Sequence, residues 1–340
     1  MIKNVPKSIK AISSTLLANE AIKRGIKVDH INDYQEEMAF LELSCRKHFE
    51  YIIGQKSSKT SAPASYAEGN KVLAKSLLSR RKISVAEGKS FHKNKINEAY
   101  EFIKTIGYPI VIKPFDGDHG NLVFIGLKNE KGCDEAIKKI IKKSKYVLIE
   151  EEFKGKEFRF ITTTKKVLAV TYRDPANIIG DGIHNIKELV KIKNSDPMRG
   201  EKNEKPLVKI KIDNITKQNL IEQKINLDYI PVKGKKIYLR KESNISTGGD
   251  SIDVTDQVHP ELKKIAVKSV RAIPGLAYAG VDLMTNKDIS KKPTKNSYII
   301  VELNSSPGIY PQHFPCQGKP RNVAKEIIDI LFPETKGKYL

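Results

Sequence analysis

A carboxylate set inside a run of aliphatic residues constrains a chain more than its average composition does, because burying that charge without a partner is costly. This sequence does it twice, with Asp282 in Gly280-Val281-Asp282-Leu283 and Glu302 in Ile299-Ile300-Val301-Glu302-Leu303-Asn304. Both runs read as strands, at 277–284 and 298–303. Side chains two residues apart in extended chain point the same way, so Glu302 and Asn304 share a face. The connection between the strands allows antiparallel pairing, which would bring Asp282 to that face as a third oxygen donor. Hard oxygen donors suit Mg2+, which keeps its remaining positions for water and phosphate oxygens. A solvated edge strand is the alternative; the apolar residues on both sides of each charge favour the metal.

At 340 residues the chain has room for about two domains of ~150 residues each. With 39% hydrophobic and 30% charged residues it has the make-up of a folded protein, which excludes disorder and collagen-like repeats. Its longest apolar stretches, at 108–112 and 146–149, fall far short of a membrane span of ~20 residues. The opening MIKNVPKSIK has no apolar signal core, so the expectation is a cytoplasmic protein without a membrane partner. Cys45, Cys133 and Cys316 are odd in number and widely spaced, which indicates neither a disulfide framework nor a zinc site.

Charge is less ordinary: 61 Lys and Arg against 40 Asp and Glu give +21. Such an excess is a nucleic-acid footprint, a funnel for an anionic ligand, or a solvated surface. The lysines are spread along the chain, aromatic residues are 7% with no Trp, and no stretch alternates basic with stacking residues. That argues against nucleic acid as a partner.

Along the chain, helical spacing at 13–27 stops at Gly25, and a short strand at 28–31 completes a helix-to-strand unit of an α/β layer. The stretch IIGQKSSKTSAPAS at 52–65 reads as a loop or linker near a boundary. A helix at 67–78 carries Lys71 and Lys75 on one face. There follow a strand at 83–85, a helix at 91–106, strands at 108–115 and 122–127 joined by the turn 116–120, a helix at 132–144 and a strand at 146–151. That block is a compact α+β unit. Alternation at 158–163 and 167–172 predicts paired antiparallel strands. Beyond them lie a polar stretch at 173–205 with a helix around 186–192, a strand at 237–240, a Gly- and Ser-rich loop at 243–250, and helices at 260–273 and 321–331.

Two further motifs carry chemistry. Lys113 is a cation within Ile110-Val111-Ile112-Lys113-Pro114, and Gly117 and Gly120 follow in Asp116-Gly117-Asp118-His119-Gly120. Glycines there let backbone N–H groups approach phosphate oxygens that an ammonium neutralises; a tight hairpin with a surface lysine is the alternative. Neither a P-loop nor a G-x-G-x-x-G dinucleotide fingerprint is present. The acidic connector Glu150-Glu151-Glu152-Phe153, with Gly155 and Glu157, offers carboxylates to a ribose and backbone groups to an adenine edge, or is a solvated turn.

Taken in order, Lys71, Lys113 with its glycine turn, Glu150 to Glu157, Asp282 and Glu302-x-Asn304 resemble the ATP-grasp superfamily of carboxylate–amine ligases. The likeness sharpens in Pro175-Ala176-Asn177-Ile178-Ile179-Gly180-Asp181-Gly182-Ile183-His184, in Tyr238-Leu239-Arg240, and in Asn244-Ile245-Ser246-Thr247-Gly248-Gly249-Asp250. There the sequence looks like the cyanophycin synthetase ATP-grasp domain and the glutathione synthetase half of bifunctional bacterial enzymes. Asn304-Ser305-Ser306-Pro307-Gly308 with His313 sits closer to the cyanophycin type.

The resemblance implies an ATP-grasp fold of mixed α+β and α/β character. It divides into an N-terminal α/β domain at 1–62, a central lid at 63–155 and a C-terminal antiparallel-sheet subdomain at 156–340. It implies ATP between two sheets, with Lys71 and Lys113 on the phosphates, the Gly117 to Gly120 turn with His119 closing over the reacting phosphoryl group, Glu150 and Glu151 near the adenine and Glu157 on the ribose. Asp282, Glu302 and Asn304 would hold two Mg2+ ions, with Mn2+ as an alternative, and Arg240 would face the γ-phosphate and the acyl phosphate. Arg173, His184, Arg199 and Arg321 are candidates for a substrate carboxylate, which an Arg fork can bind bidentately.

The implied reaction joins a carboxylate and an amine, from amino acids or a short peptide, into an amide with release of ADP and phosphate. A positive chain favours such anionic reactants. The Mur-ligase-like and glutamate–cysteine ligase modules of the relatives lie outside the resemblance, so a single amide bond is the expected product. Homodimers or homotetramers are the expected assemblies. A peptide- or protein-modifying ligase, or a basic nucleic-acid binder that kept the fold without catalysis, are the competing readings. At Leu122 relatives commonly have a second glycine.

Overall fold

The protein is described by a computed structural model covering residues 9–31, 40–115, 122–201 and 205–339. Its contacts sort into two units. One draws on the described parts of Met1–Lys59, Leu168–Thr255 and Ser306–Leu340; the other on Thr60–Val167 and Asp256–Ser305. Among the described residues no helix is long and apolar enough to cross a membrane.

The second unit contains two sheet layers. In the first, strands Gly88–His92, Tyr146–Glu151, Ile110–Pro114 and Phe124–Leu127 lie side by side in that order, all antiparallel. One face is apolar: Phe91, Ile110, Ile112, Val147 and Ile149 pack with Ala99, Ile103, Ile137 and Ile140 of helices Ile96–Ile106 and Glu130–Ile141. Each large side chain buried there contributes about 1.5–3 kcal/mol. Strand alternation then sends Lys113 and Glu150 to the opposite face. Gly88 pairs with Glu150, and a Cβ at Gly88 would stand 2.6 Å from the Glu150 Cγ, so only glycine leaves room for that carboxylate.

In the second layer, strands Lys156–Thr163, Tyr278–Thr285 and Tyr298–Asn304 run antiparallel, covered by helix Pro260–Arg271. The helix starts as its sequence dictates, with Pro260 in the first turn, Glu261 beside it, and the His259 ring accepting from the Glu261 N–H. The helix expected at 67–78 is two helices, Ala62–Gly69 and Lys71–Arg80. Asn70 divides them: its side chain accepts from the Leu73 N–H at 2.9 Å, a cap that begins the second helix afresh. Gly88–His92, expected as loop and helix, is a strand because pairing with Tyr146–Glu151 outweighs its weak local preference.

In the first unit, Lys27–Ile31, Phe40–Cys45, His48–Ile53 and Lys56–Ser57 form an antiparallel meander, so the loop expected from 52 onward is partly strand. Helix Ile12–Lys23 packs on helix Val323–Leu331, and the Arg24 guanidinium ties them through Glu20 at 2.7 Å and Asp329 at 2.6 Å. Elsewhere in this unit, Asn177–Ile179 pairs with Lys236–Tyr238 over a core of Ile178, Ile186, Leu220, Ile237 and Leu239. Helix Ile186–Asn194 opens with a capping box made by Asn185 and Glu188, and helix Asn214–Glu222 is capped by Asp213.

The unit also holds a pH-sensitive group. The Nε2 of His313 accepts from the Ala324 N–H at 3.1 Å, and burial, reinforced by Lys23 and opposed by Glu20, pushes the imidazole down to about 4. An unfolded histidine takes up its proton near 6.5, so between about 6.5 and 4 the unfolded chain binds the extra proton and stability falls as the pH is lowered. Thermal midpoints across that range should fall with acid in the native chain and less steeply in His313→Gln. Parallel slopes would contradict the assignment.

Candidate active site

The embedded charges meet in one row. Asp282 lies directly opposite Glu302 on one side and Arg159 on the other, and Gly280 lies opposite Asn304. The antiparallel pairing read from the sequence is therefore present, with an irregularity between Asp282 and Leu283. Asp282 is 2% exposed. The Arg159 guanidinium grips it at both oxygens, Nε to Oδ1 at 2.6 Å and Nη2 to Oδ2 at 2.5 Å, and lies 3.9 Å from Glu302 Oε1. The Glu302 side chain remains 41% exposed, so the row is closed at Asp282 and open at Glu302.

Electrostatics show how crowded the carboxylates are. Enclosure and the neighbouring Asp282 charge push the Glu302 carboxyl above its ordinary range, against Arg159, Lys71 and Lys113. Burial opposes the charge on Arg159, but Asp282, Glu302 and Glu157 outweigh it and hold the guanidinium firmly protonated. Two carboxylates and an amide oxygen on one face, with one guanidinium against two negative charges, fit a hard divalent cation. Among the described residues no group of three or more His, Cys, Asp or Glu converges on a cation site; here the third donor is the Asn304 amide.

Strand Ile110–Pro114 and helix Lys71–Arg80 supply the positive half. Lys113 reaches Glu150 Oε2 at 2.7 Å, and the Lys75 ammonium pairs with the other oxygen of the same carboxylate. Burial, together with the Lys113 charge and against the pull of Glu150, lowers the Lys75 pKa to about 8. Burial acts against the Glu150 charge too, yet its two cations hold the carboxyl below its ordinary value. One anion shared by two ammonium groups leaves a net positive charge, the natural seat for phosphate oxygens. The fields of Lys71, Lys113 and Lys75 all reach Glu302, so the lysines and the carboxylate row form one electrostatic assembly within this unit.

The other nucleotide candidates lie around it. Glu151, next in the strand, turns the opposite way, and its carboxylate accepts from the Glu87 N–H at 3.1 Å. Glu157 stands two residues before Arg159 in the same strand and acts on its charge. Gly117, His119 and Gly120 lie outside the described residues. Leu122, just beyond them, has φ 55°, the left-handed conformation in which glycine is at ease.

Five candidates belong to the first unit, each held by a local partner. Arg199 donates to the Val208 carbonyl at 2.7 Å and to the Gly248 carbonyl at 3.2 Å and pairs with Asp250, which also receives Lys193 at 2.6 Å. Arg240 pairs with Asp213 at 2.5 Å while its buried Nε has no hydrogen-bond partner among the described residues. Arg321 forks onto Asp253 at 2.7 and 3.1 Å. Arg173 reaches the Asn244 amide oxygen at 3.4 Å. His184 is half-exposed, bonded to Asp181 at 2.6 Å, and that bond raises the imidazole pKa.

Sequence reasoning missed Arg159 and gave Lys75 no role. Arg159 carries the same mark as Asp282, a charge between apolar neighbours in Phe158-Arg159-Phe160, but its partner lies far along the chain. Lys75 was visible only as a neighbour of Lys71 on a helix face.

Residues 69–174 match the phosphoribosylglycinamide synthetase ATP-grasp (A) domain family, and residues 239–331 match the RimK-like ATP-grasp domain family. The chain belongs to the ATP-grasp superfamily and has its fold. It is 38% identical over 325 residues to the glutathione biosynthesis bifunctional protein GshAB of Clostridium perfringens, covering 94% of this chain and 41% of that one. It is 34% identical over 330 residues to the cyanophycin synthetase of Trichormus variabilis, covering 94% of this chain and 35% of that protein. The crystal structure of a bifunctional glutathione synthetase from Pasteurella multocida superposes with a TM-score of 0.71 at 34% identity, over 95% of this chain and 44% of that one. The chain thus spans about two fifths of the length of these relatives.

Proposed function

We propose that the chain catalyses ATP-dependent formation of an amide bond between a carboxylate and an amine, drawn from amino acids or a short peptide. The observation that carries this reading is the single assembly of Lys75, Lys113 and Glu150 with the row Arg159, Asp282 and Glu302. Relatives named for glutathione and cyanophycin synthesis support it.

In the proposed reaction, a carboxylate oxygen of the first substrate attacks the γ-phosphorus and the bond to the ADP oxygen breaks. The amine then attacks the acyl carbon, inorganic phosphate departs, and the amine's proton leaves to solvent. Lys75 and Lys113 offset phosphate charge from a mostly buried face, where each interaction counts for more than in water. Asp282, Glu302 and Asn304 would hold the divalent ions, which we take to be two Mg2+, and the ions would neutralise the triphosphate. Arg240, whose Nε finds no partner among the described residues, is the proposed donor to the acyl phosphate, and Arg173, His184, Arg199 and Arg321 the proposed substrate contacts. We take the site of action to be the cytoplasm.

The test is ADP release across a matrix of amino acids and dipeptides, with hydroxylamine added to trap an acyl phosphate. One carboxylate–amine pair should stimulate ADP release well above background, and hydroxylamine should yield the matching hydroxamate from the carboxylate alone. ADP release without hydroxamate from any carboxylate would contradict the reading.

A further inference from the structure

Arg159, Asp282 and Glu302 occupy one row across three adjacent antiparallel strands. A guanidinium placed there, bonded to Asp282 and 3.9 Å from Glu302, stands where a bound cation would also be drawn. Both Asp282 oxygens are engaged by the planar fork, which fixes the plane of that carboxylate as an ammonium could not.

We propose that Arg159 is a resident counter-ion that satisfies Asp282 in the metal-free protein and makes divalent-cation binding conditional on the nucleotide. It is a positioning residue, and the inference rests on the reading of Asp282, Glu302 and Asn304 as cation ligands. With Arg159 in place the row Arg159, Asp282 and Glu302 carries one net negative charge, too little to hold a bare divalent ion well. A triphosphate brought in by Lys75 and Lys113 supplies the missing negative charge, so ion and nucleotide bind together. Removing the guanidinium leaves two negative charges and should let the ion bind alone.

The test is Mn2+ binding to the full chain, followed by the electron paramagnetic resonance signal of free Mn2+, with and without ADP. In the native protein ADP should tighten Mn2+ binding strongly. In Arg159→Met, Mn2+ affinity without nucleotide should rise about tenfold or more, and the tightening by ADP should shrink by the same factor. The thermal midpoint of that variant in EDTA should fall by roughly 10 °C and recover on adding Mn2+, which a merely structural arginine would not produce. Should Arg159→Met fail to fold, Arg159→Gln carries the same comparison. Arg159→Lys, which keeps the charge, should bind bare Mn2+ as weakly as the native chain. Unchanged or weaker Mn2+ binding in the neutral variants, with native Mn2+–ADP binding intact, overturns the proposal alone. Native protein that binds no Mn2+ even with ADP overturns both it and the cation site.

Discussion

Glu302→Ala should lower ADP release by about 10^3-fold while leaving the thermal midpoint close to native. A metal ion that stabilises transferring phosphoryl oxygens is worth several kcal/mol, and each 1.36 kcal/mol is tenfold in rate. Stability should survive because the Glu302 side chain is 41% exposed and leaves no sealed cavity. The change also removes a like charge next to Asp282, which keeps its pair with Arg159. Steady-state ADP release and a melting curve on one preparation decide the matter. Near-normal turnover would refute the assignment of Glu302 to the cation.

Glu150→Gln should have the larger effect on the fold. Glu150 pairs with both Lys75 and Lys113, and all three side chains are largely buried. Removing one partner of a buried pair costs about 3–5 kcal/mol, and here it leaves two ammonium groups facing each other. The thermal midpoint should drop by roughly 10 °C and recover with ADP or ATP more than the native midpoint rises. A Glu150 that served only an adenine edge would weaken nucleotide binding without lowering the stability of the free protein. The pH dependence adds a second reading. Folded Lys75 loses its proton near 8, while the unfolded side chain holds it to about 10.5, so stability rises with pH across that window. In Glu150→Gln the folded Lys75 should lose its proton at lower pH still, and the rise should begin earlier.

Much of this site is legible in the sequence because its residues break local rules. Asp282, Glu302 and Lys113 are charges inside apolar strands, and strand periodicity alone fixes their faces. What periodicity cannot give is a partner distant in sequence, which is why Arg159 opposite Asp282 emerged only with the register. Lys71 and Lys75 share a helix face, and only the packing of that helix brings the second ammonium to Glu150. The secondary-structure misses have the same cause. Gly-Lys-Ser-Phe-His at 88–92 has no intrinsic strand preference and is a strand because a neighbour pairs with it. Helix Asn214–Glu222 is short and polar, and its clearest mark is the Asp213 cap.

A crystal structure of the full chain with Mg2+ and an unreactive ATP analogue tests the central claim most directly. The account predicts metal density about 2.1 Å from oxygens of Asp282, Glu302 and Asn304, and phosphate oxygens within hydrogen-bond reach of Lys75 and Lys113. A nucleotide bound elsewhere, or bound with its metal ions making no contact to those three residues, would contradict it.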